Sequence, residues 1–479
     1  MSIPSGTSGR VHANAGASHN SGTHAFEHLR SFAFRCRPQP RLQTRSEMTR
    51  ARAEPQAQAQ PRQSRLCRFL ALQARAMAQH KALKELHLSR NEVNVAGAEA
   101  LVNALGKNKT LTYLGLQSCG IREEGTQRLA VALGSNRTLQ TLALSHNVVG
   151  LEGAIALAEA LRGLDNLRSG LRRLELASAG LRFEAVSALM SGLAGNASLR
   201  ALVLRDNPLG DEGVGELAAA LQHNTSLQEL DLARCAFHSS GCERLAAALR
   251  SGGAASLASL ALGGNSLGSS PGAVEALMSA LDQNSALREL DLTSNDLGDA
   301  GAAALAAALG APSGCPLREL ALARNGIGEA GGERLAAAVA KNLSLQVLLL
   351  GENRISDRGA TAFAVALQTN KALREVELSK NDVTCIGTKA FALCLILNAS
   401  LEALSLCGNR LEDWGASELA LGLAQNRRLA KLDLAHNSIG NEGLGKLAAA
   451  LAKNSKLKEL TMEGNAADPE AIATLEELA

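Results

Sequence analysis

The strongest constraint on this chain is a unit that repeats. Residues 199–226, LRALVLRDNPLGDEGVGELAAALQHNTS, carry Leu199, Leu202, Leu204, Asn207 and Leu209, which spell L-x-x-L-x-L-x-x-N-x-L. The first half alternates with period two, as a short strand does. The second half, with Val214, Leu217, Ala218 and Leu221, has helical spacing. A single strand, turn, helix and return cannot bury its own leucines, whereas stacked copies can.

The first leucine of the unit recurs at Leu83, Leu111, Leu139, Leu171, Leu199, Leu227, Leu257, Leu287, Leu317, Leu345, Leu373, Leu401, Leu429 and Leu457. That makes fourteen copies, at intervals of 28 residues except one of 32 and three of 30. The asparagine recurs as Asn91, Asn147, Asn207, Asn265, Asn295, Asn325, Asn353, Asn381, Asn409, Asn437 and Asn465, with Cys119, Ala179 and Cys235 in the other three copies. A small polar group there can bond the turning backbone, whose buried amides need partners. Six positions later a glycine such as Gly97, Gly125, Gly301, Gly359 or Gly443 lets the helix begin close to the strand layer.

These units resemble those of the leucine-rich repeat family, ribonuclease-inhibitor-like class, whose long repeats carry a full helix. The resemblance spans roughly Leu66 to the C-terminus. It implies an α/β solenoid, an open horseshoe of about fourteen repeats with a parallel β-sheet on its concave face and helices on its convex face. Similar units occur in ribonuclease inhibitor, NOD-like receptors, Ran GTPase-activating proteins and ciliary scaffolds, so the resemblance implies architecture and leaves the partner open.

Charge is unevenly distributed. Residues 1–82 hold thirteen Lys/Arg against Glu27, Glu47 and Glu54, a net of +10, and the remainder carries 36 basic and 43 acidic residues, a net of −7. The mildly acidic array argues against a nucleic-acid-binding surface. Residues 1–60 read as a disordered basic tail, rich in Ser, Gly, Ala, Gln, Arg and Pro and without apolar period. A transit peptide and a basic binding arm are the competing readings of this tail. No apolar h-region follows Met1, so a cytoplasmic protein is expected, with organellar targeting by the Arg-rich segment as the alternative. Residues 61–82 resemble the helical half of a repeat and are assigned as an N-terminal cap, the repeats as 83–479. Asp468 and Pro469 open a terminal helix over 468–478. The longest apolar run, Ala390–Leu397, is far short of the ~18 residues of a membrane span.

Nothing in the sequence carries catalytic chemistry. The nine cysteines show no C-x-x-C spacing, and the expected state is reduced structural thiols. No phosphate-binding loop, H-E-x-x-H or nucleophile elbow occurs, so no cofactor and no metal are expected. Six N-x-S/T sequons, at Asn108, Asn136, Asn196, Asn224, Asn342 and Asn398, fall at one place just past a helix, where Asn is expected in the left-handed cap conformation. Repetition explains them without glycosylation.

The expected function is a non-enzymatic scaffold that binds a protein on its concave face or rim loops. The third and fifth positions of each unit face the hollow, and many are acidic, among them Glu229, Asp231, Glu289, Asp291, Glu319, Glu375 and Glu377. Val347 and Leu349 make an apolar centre among Glu319, Glu375 and Glu377, with Arg324, Glu352 and Lys380 as its charged rim. Tyr113 lies on the same face, and Trp414 replaces a small or charged residue on a rim loop just before Gly415. Insertions near 164–170, 251–255, 269–272 and 311–316 are further rim candidates. A GTPase activator resembling Ran GTPase-activating proteins is the second reading. Its basic T-G-R insertion has no counterpart in Leu88–Val93, so a small GTPase is a disfavoured partner. A sensor similar to NOD-like receptor repeat domains is the third.

Overall fold

A computed structural model describes residues 82–163, 170–252, 254–281, 283–311 and 314–478. The tail, all of the N-terminal cap except residue 82, and most of the insertion near 164–170 lie outside them. Fourteen three-residue strands, from Glu85–His87 to Glu459–Thr461, form one parallel sheet whose order is the order of the chain. Each strand pairs with the next at the same unit position, so Leu202 lies beside Leu230 and Leu230 beside Leu260. A helix follows every strand, the shortest being Pro469–Leu478 and the longest including Asn94–Lys107 and Glu412–Gln425.

Curvature follows from the two widths. Strands stack about 4.8 Å apart, while helices need about 10 Å, so the stack bends with the strands inside and the helices outside. Between the layers the unit leucines are fully enclosed: Leu230 and Leu290 are 1% and 0% exposed. Phe237, Phe363 and Phe391 fill the few larger spaces. Adjacent helices, rather than helix and strand layers, meet closely at the unit glycine. A Cβ on Gly387 would lie 3.0 Å from the Asp357 Cα of the preceding helix.

The unit asparagines bind neighbouring turns together. Asn207 donates through Nδ2 to the Leu204 carbonyl of its own unit (2.7 Å) and the Leu176 carbonyl of the preceding one (2.8 Å). Its Oδ1 accepts from the Ala179 and Leu181 amides, both at 3.0 Å. Main-chain bonds between turns run alongside this ladder, in units with and without the asparagine. Val149 N donates to the Ala179 carbonyl and Gly150 is left-handed at φ 68°. Likewise Gly210 N donates to the Cys235 carbonyl, with φ 63° at Gly210. The same bond from a left-handed glycine joins Gly298 N to the Asn325 carbonyl, where the asparagine is present.

A second ladder runs along the helix ends and corrects one expectation. Asn136 is extended, at φ −85° and ψ 130°, not left-handed. Its Nδ2 donates to the Leu105 carbonyl of the preceding unit (2.8 Å), and its Oδ1 accepts from the Thr138 and Leu139 amides. Asn108 and Asn398 are extended too. All six sequon asparagines are buried, so the Nδ2 a glycan would need is enclosed in the folded chain.

Candidate concave binding surface

Each strand contributes two side chains to the hollow, at its first and third residues. Over the strands from Arg173–Glu175 to Lys431–Asp433 these include nine carboxylates, Glu175, Glu229, Asp231, Glu289, Asp291, Glu319, Glu375, Glu377 and Asp433, against Arg173 and Lys431. Parallel register places them in two rows across the sheet: Glu289 beside Glu319, and Glu375 one strand further past Val347. Arg173 spans this surface, binding Glu175 at 2.8 Å within its strand and Glu229 at 2.7 Å two strands away.

The inner row is largely desolvated, because side chains on the inside of a curved sheet converge. Asp231, Asp291, Glu377 and Asp433 are all buried. Each is held by main-chain donors just past its strand. Asp231 accepts from Ala233 N (3.0 Å), Asp291 from Thr293 N (2.8 Å) and Asp433 from Ala435 N (3.0 Å). Glu377 accepts from Gly351 N (2.7 Å) and Ser379 N (2.8 Å). Ser379 Oγ meets Ser405 Oγ at 2.9 Å, and Ser405 donates to Asp433 at 3.1 Å, so one polar network joins three strands. Burial pushes the Glu377 carboxyl up to about 7 and those of Asp231 and Asp433 up to about 6; it raises Asp291 as well. These inner carboxylates are structural caps. The outer row, Glu229, Glu289, Glu319 and Glu375, is half-buried and reaches the hollow, as does Glu175 at the start of the inner row.

The proposed apolar centre differs from its sequence-based description. Val347 and Leu349 do sit on the concave side, packed with Ala321, but they are only 4% and 2% exposed. Two apolar side chains between converging neighbours close onto Ala321, which the sequence periodicity cannot show. Glu375 and Glu377 flank them in register. Arg324 and Glu352 are not around this centre but past the strand ends, where Arg324 grips Glu352 through both nitrogens at 2.8 and 2.9 Å. Lys380 Nζ lies 3.4 Å from the same carboxylate. Tyr113 is half-buried and stacks on His87, ring centroids 4.6 Å apart. Trp414 is 59% exposed and stands in the first turn of the helix Glu412–Gln425, not on a loop.

Sequence reasoning missed the corner that makes this rim. The residue before the asparagine position is left-handed in every unit, from Arg90 (φ 64°) through Arg234, Arg324, Glu352 and Lys380 to Gly464 (φ 71°). Glycine occupies it in only three units, Gly264, Gly408 and Gly464. The conformation costs a non-glycine residue about 1–2 kcal/mol, and the asparagine ladder holds it. No residue type marks the position, so the sequence contains no signal for it. Its consequence is a charged row along one edge of the sheet, where Arg234 also grips Asp206 at 2.6 and 2.8 Å.

The thiols follow their surroundings. Cys119, Cys235, Cys242 and Cys394 are buried and free, and burial pushes the last three up to about 12. Cys119 and Cys235 donate to the preceding unit's leucine carbonyl in place of asparagine. Among the described residues no group of three or more His, Cys, Asp or Glu is placed to hold a metal ion, and no helix is long and apolar enough to cross a membrane. A shallow hollow of about 390 Å³ between two convex helices is lined mainly by alanines with Arg334 and Lys341, a poor match to a small-molecule site.

Eight segments, 80–102, 135–158, 195–218, 223–246, 283–306, 315–336, 341–364 and 425–448, match the family model described as Leucine Rich repeat. No curated protein sequence matches the chain. Among solved structures, one from the Rad7 and Elc1 complex of yeast is similar over 80% of this chain and 92% of its own, at 17% identity and a TM-score of 0.48. An internalin, InlF, from Listeria monocytogenes is similar over 86% and 93%, at 17% identity and a TM-score of 0.41. A chain of the TLR13–ssRNA13 complex is similar over 81% and 61%, at 17% identity and a TM-score of 0.43.

Proposed function

We propose that this chain, which belongs to the leucine-rich repeat family, is a non-enzymatic scaffold whose concave face receives a basic segment of a protein partner. One observation carries the reading: over ten consecutive strands the half-buried carboxylates Glu175, Glu229, Glu289, Glu319 and Glu375 outnumber Arg173 and Lys431. Like charges set side by side, as Glu289 and Glu319 are, raise the energy of the unliganded sheet. A partner presenting Arg or Lys along an extended segment relieves that repulsion. Arginine forks suit the outer glutamates best. The charged corner row, already paired within itself, then frames the segment without competing for it.

The test uses a fluorescent nona-arginine peptide and the full chain. Glu289→Lys with Glu319→Lys is expected to weaken binding at least tenfold, about 1.4 kcal/mol. Glu184→Lys with Glu442→Lys on the convex side is expected to leave it within about twofold, since exposed charges a Debye length away are screened. Equal weakening by the two pairs would show that the peptide reads net charge and would sink the concave reading.

A further inference from the structure

The repeats supply an internal comparison that isolates a second surface. Any two residues at the same unit position meet the same structural demands, so a departure at one position in neighbouring units has a cause outside the fold. At the fourteenth position most units carry a charged or small residue, such as Glu124, Glu212 and Glu442, yet two adjacent units carry Ile386 and Trp414. The twenty-first position is Glu159, Ser191 and Ala337 in other units, with a single valine at Val131, but Val365, Leu393 and Leu421 occupy it in three consecutive units. These five side chains are 48% to 68% exposed, and Leu397 at the end of the same helix is 54% exposed.

All six stand on three neighbouring convex helices, Ser356–Thr369, Cys385–Leu397 and Glu412–Gln425. The helix Cys385–Leu397 is apolar on its outer side as well as its inner one: Ile386, Leu393 and Leu397 follow one another at i, i+7 and i+11, while Phe391 and Leu395 are fully buried. Solvating such a face gains the fold nothing, since the equivalent helices are stable with alanine, serine or glutamate there. The six side chains expose on the order of 600 Å², at the top of what a monomer ordinarily shows and close to the roughly 800 Å² each partner contributes to a standard interface.

We propose that this convex patch is the dimerisation surface of the chain, covered by the same patch of a second copy about a two-fold axis. The patch is suited to pair with itself. An isologous contact whose two-fold axis runs perpendicular to the helices sets equivalent helices antiparallel, which brings the Trp414 end of one patch over the Leu397 end of the other and Leu393 over Leu393. The flanking charges complement in the same arrangement. Glu412 is exposed at the start of its helix and Arg427 is exposed just past its end, so antiparallel copies set each Glu412 against the second copy's Arg427. Helix macrodipoles oppose favourably as well. The concave faces point away from this axis and stay accessible, so the dimer presents two acidic hollows.

The experiment is light scattering and sedimentation equilibrium on the full chain at about 50 μM, a concentration at which a micromolar dimer is populated. The expected mass is twice the 49.7 kDa of one chain. Leu393→Glu and Leu421→Glu, on exposed side chains, are expected to raise the dissociation constant at least about 100-fold, with circular dichroism and melting unchanged. Glu412→Arg and Arg427→Glu should each weaken the dimer, and the two together should restore it. A monomeric wild type overturns the proposal and leaves the patch to a different protein. A dimer that survives both glutamate substitutions overturns it too, and failure of the charge-swapped pair to restore association overturns the antiparallel geometry.

Discussion

Replacing Asn325 with alanine tests whether the asparagine ladder holds the solenoid in register. The side chain is 1% exposed and makes four principal bonds. Nδ2 donates to the Leu292 and Leu322 carbonyls, both at 2.9 Å, and Oδ1 accepts from Asn295 N at 2.9 Å and Leu297 N at 3.4 Å. The carbonyls keep second donors, Asn295 Nδ2 on Leu292 and Asn353 Nδ2 on Leu322. The loss therefore falls on two buried amides. Each unsatisfied buried amide costs about 1–3 kcal/mol. Part of that is discounted, because the Leu297 N bond is long at 3.4 Å and weak to begin with. The expected net loss is about 2–4 kcal/mol. Urea denaturation followed by circular dichroism should show a lowered midpoint at constant slope. Asn325→Asp separates the bonds from the volume. It keeps the acceptor but sets a carboxylate against two carbonyls, so its cost should exceed that of alanine at pH 8 and shrink near pH 4, where the protonated acid can donate. A loss below about 1 kcal/mol for alanine, or no pH dependence for aspartate, would refute the argument.

Stability should also depend on the inner carboxylates. Glu377 titrates near 7 in the folded chain, above its unfolded value, so between roughly pH 4.5 and 7 the folded state binds the extra proton. Its contribution to stability thus falls as pH rises through that window, by at most about 3 kcal/mol. Glu377→Gln should flatten that part of the profile in a denaturation series, and an unchanged slope would show the carboxylate to be hydrated. Leu349→Glu, which the sequence alone would place harmlessly in the hollow, puts an unpaired carboxylate on a 2% exposed site beside Glu377. It should lower the melting midpoint by several degrees, corresponding to about 3 kcal/mol or more, and an unaltered melt would mean the concave cluster opens freely.

Much of the fold was legible in the sequence because a repeat reports its own structure fourteen times. Leu230, Leu290 and the unit glycines occupy core and contact positions that periodicity alone assigns, and the parallel sheet follows from stacking identical units. The convex patch was legible too, but only by comparing equivalent positions between units. Reading each unit along the chain marks Trp414 as an isolated oddity on a loop, whereas it belongs with Ile386 on the preceding helix.

Three features were not legible, each for a physical reason. The left-handed corner at Arg324, Glu352 and Lys380 is imposed by hydrogen bonds from adjacent units, so the local residue type carries no mark of it. The extended backbone of Asn136 and its equivalents is set by a carbonyl 31 residues earlier, which no local propensity encodes. The burial of Leu349 and Glu377 comes from the curvature of the whole sheet. Strand alternation settles which way a side chain points, but how much water it meets is decided by neighbours converging from the strands on either side, and that is a property of the stack alone.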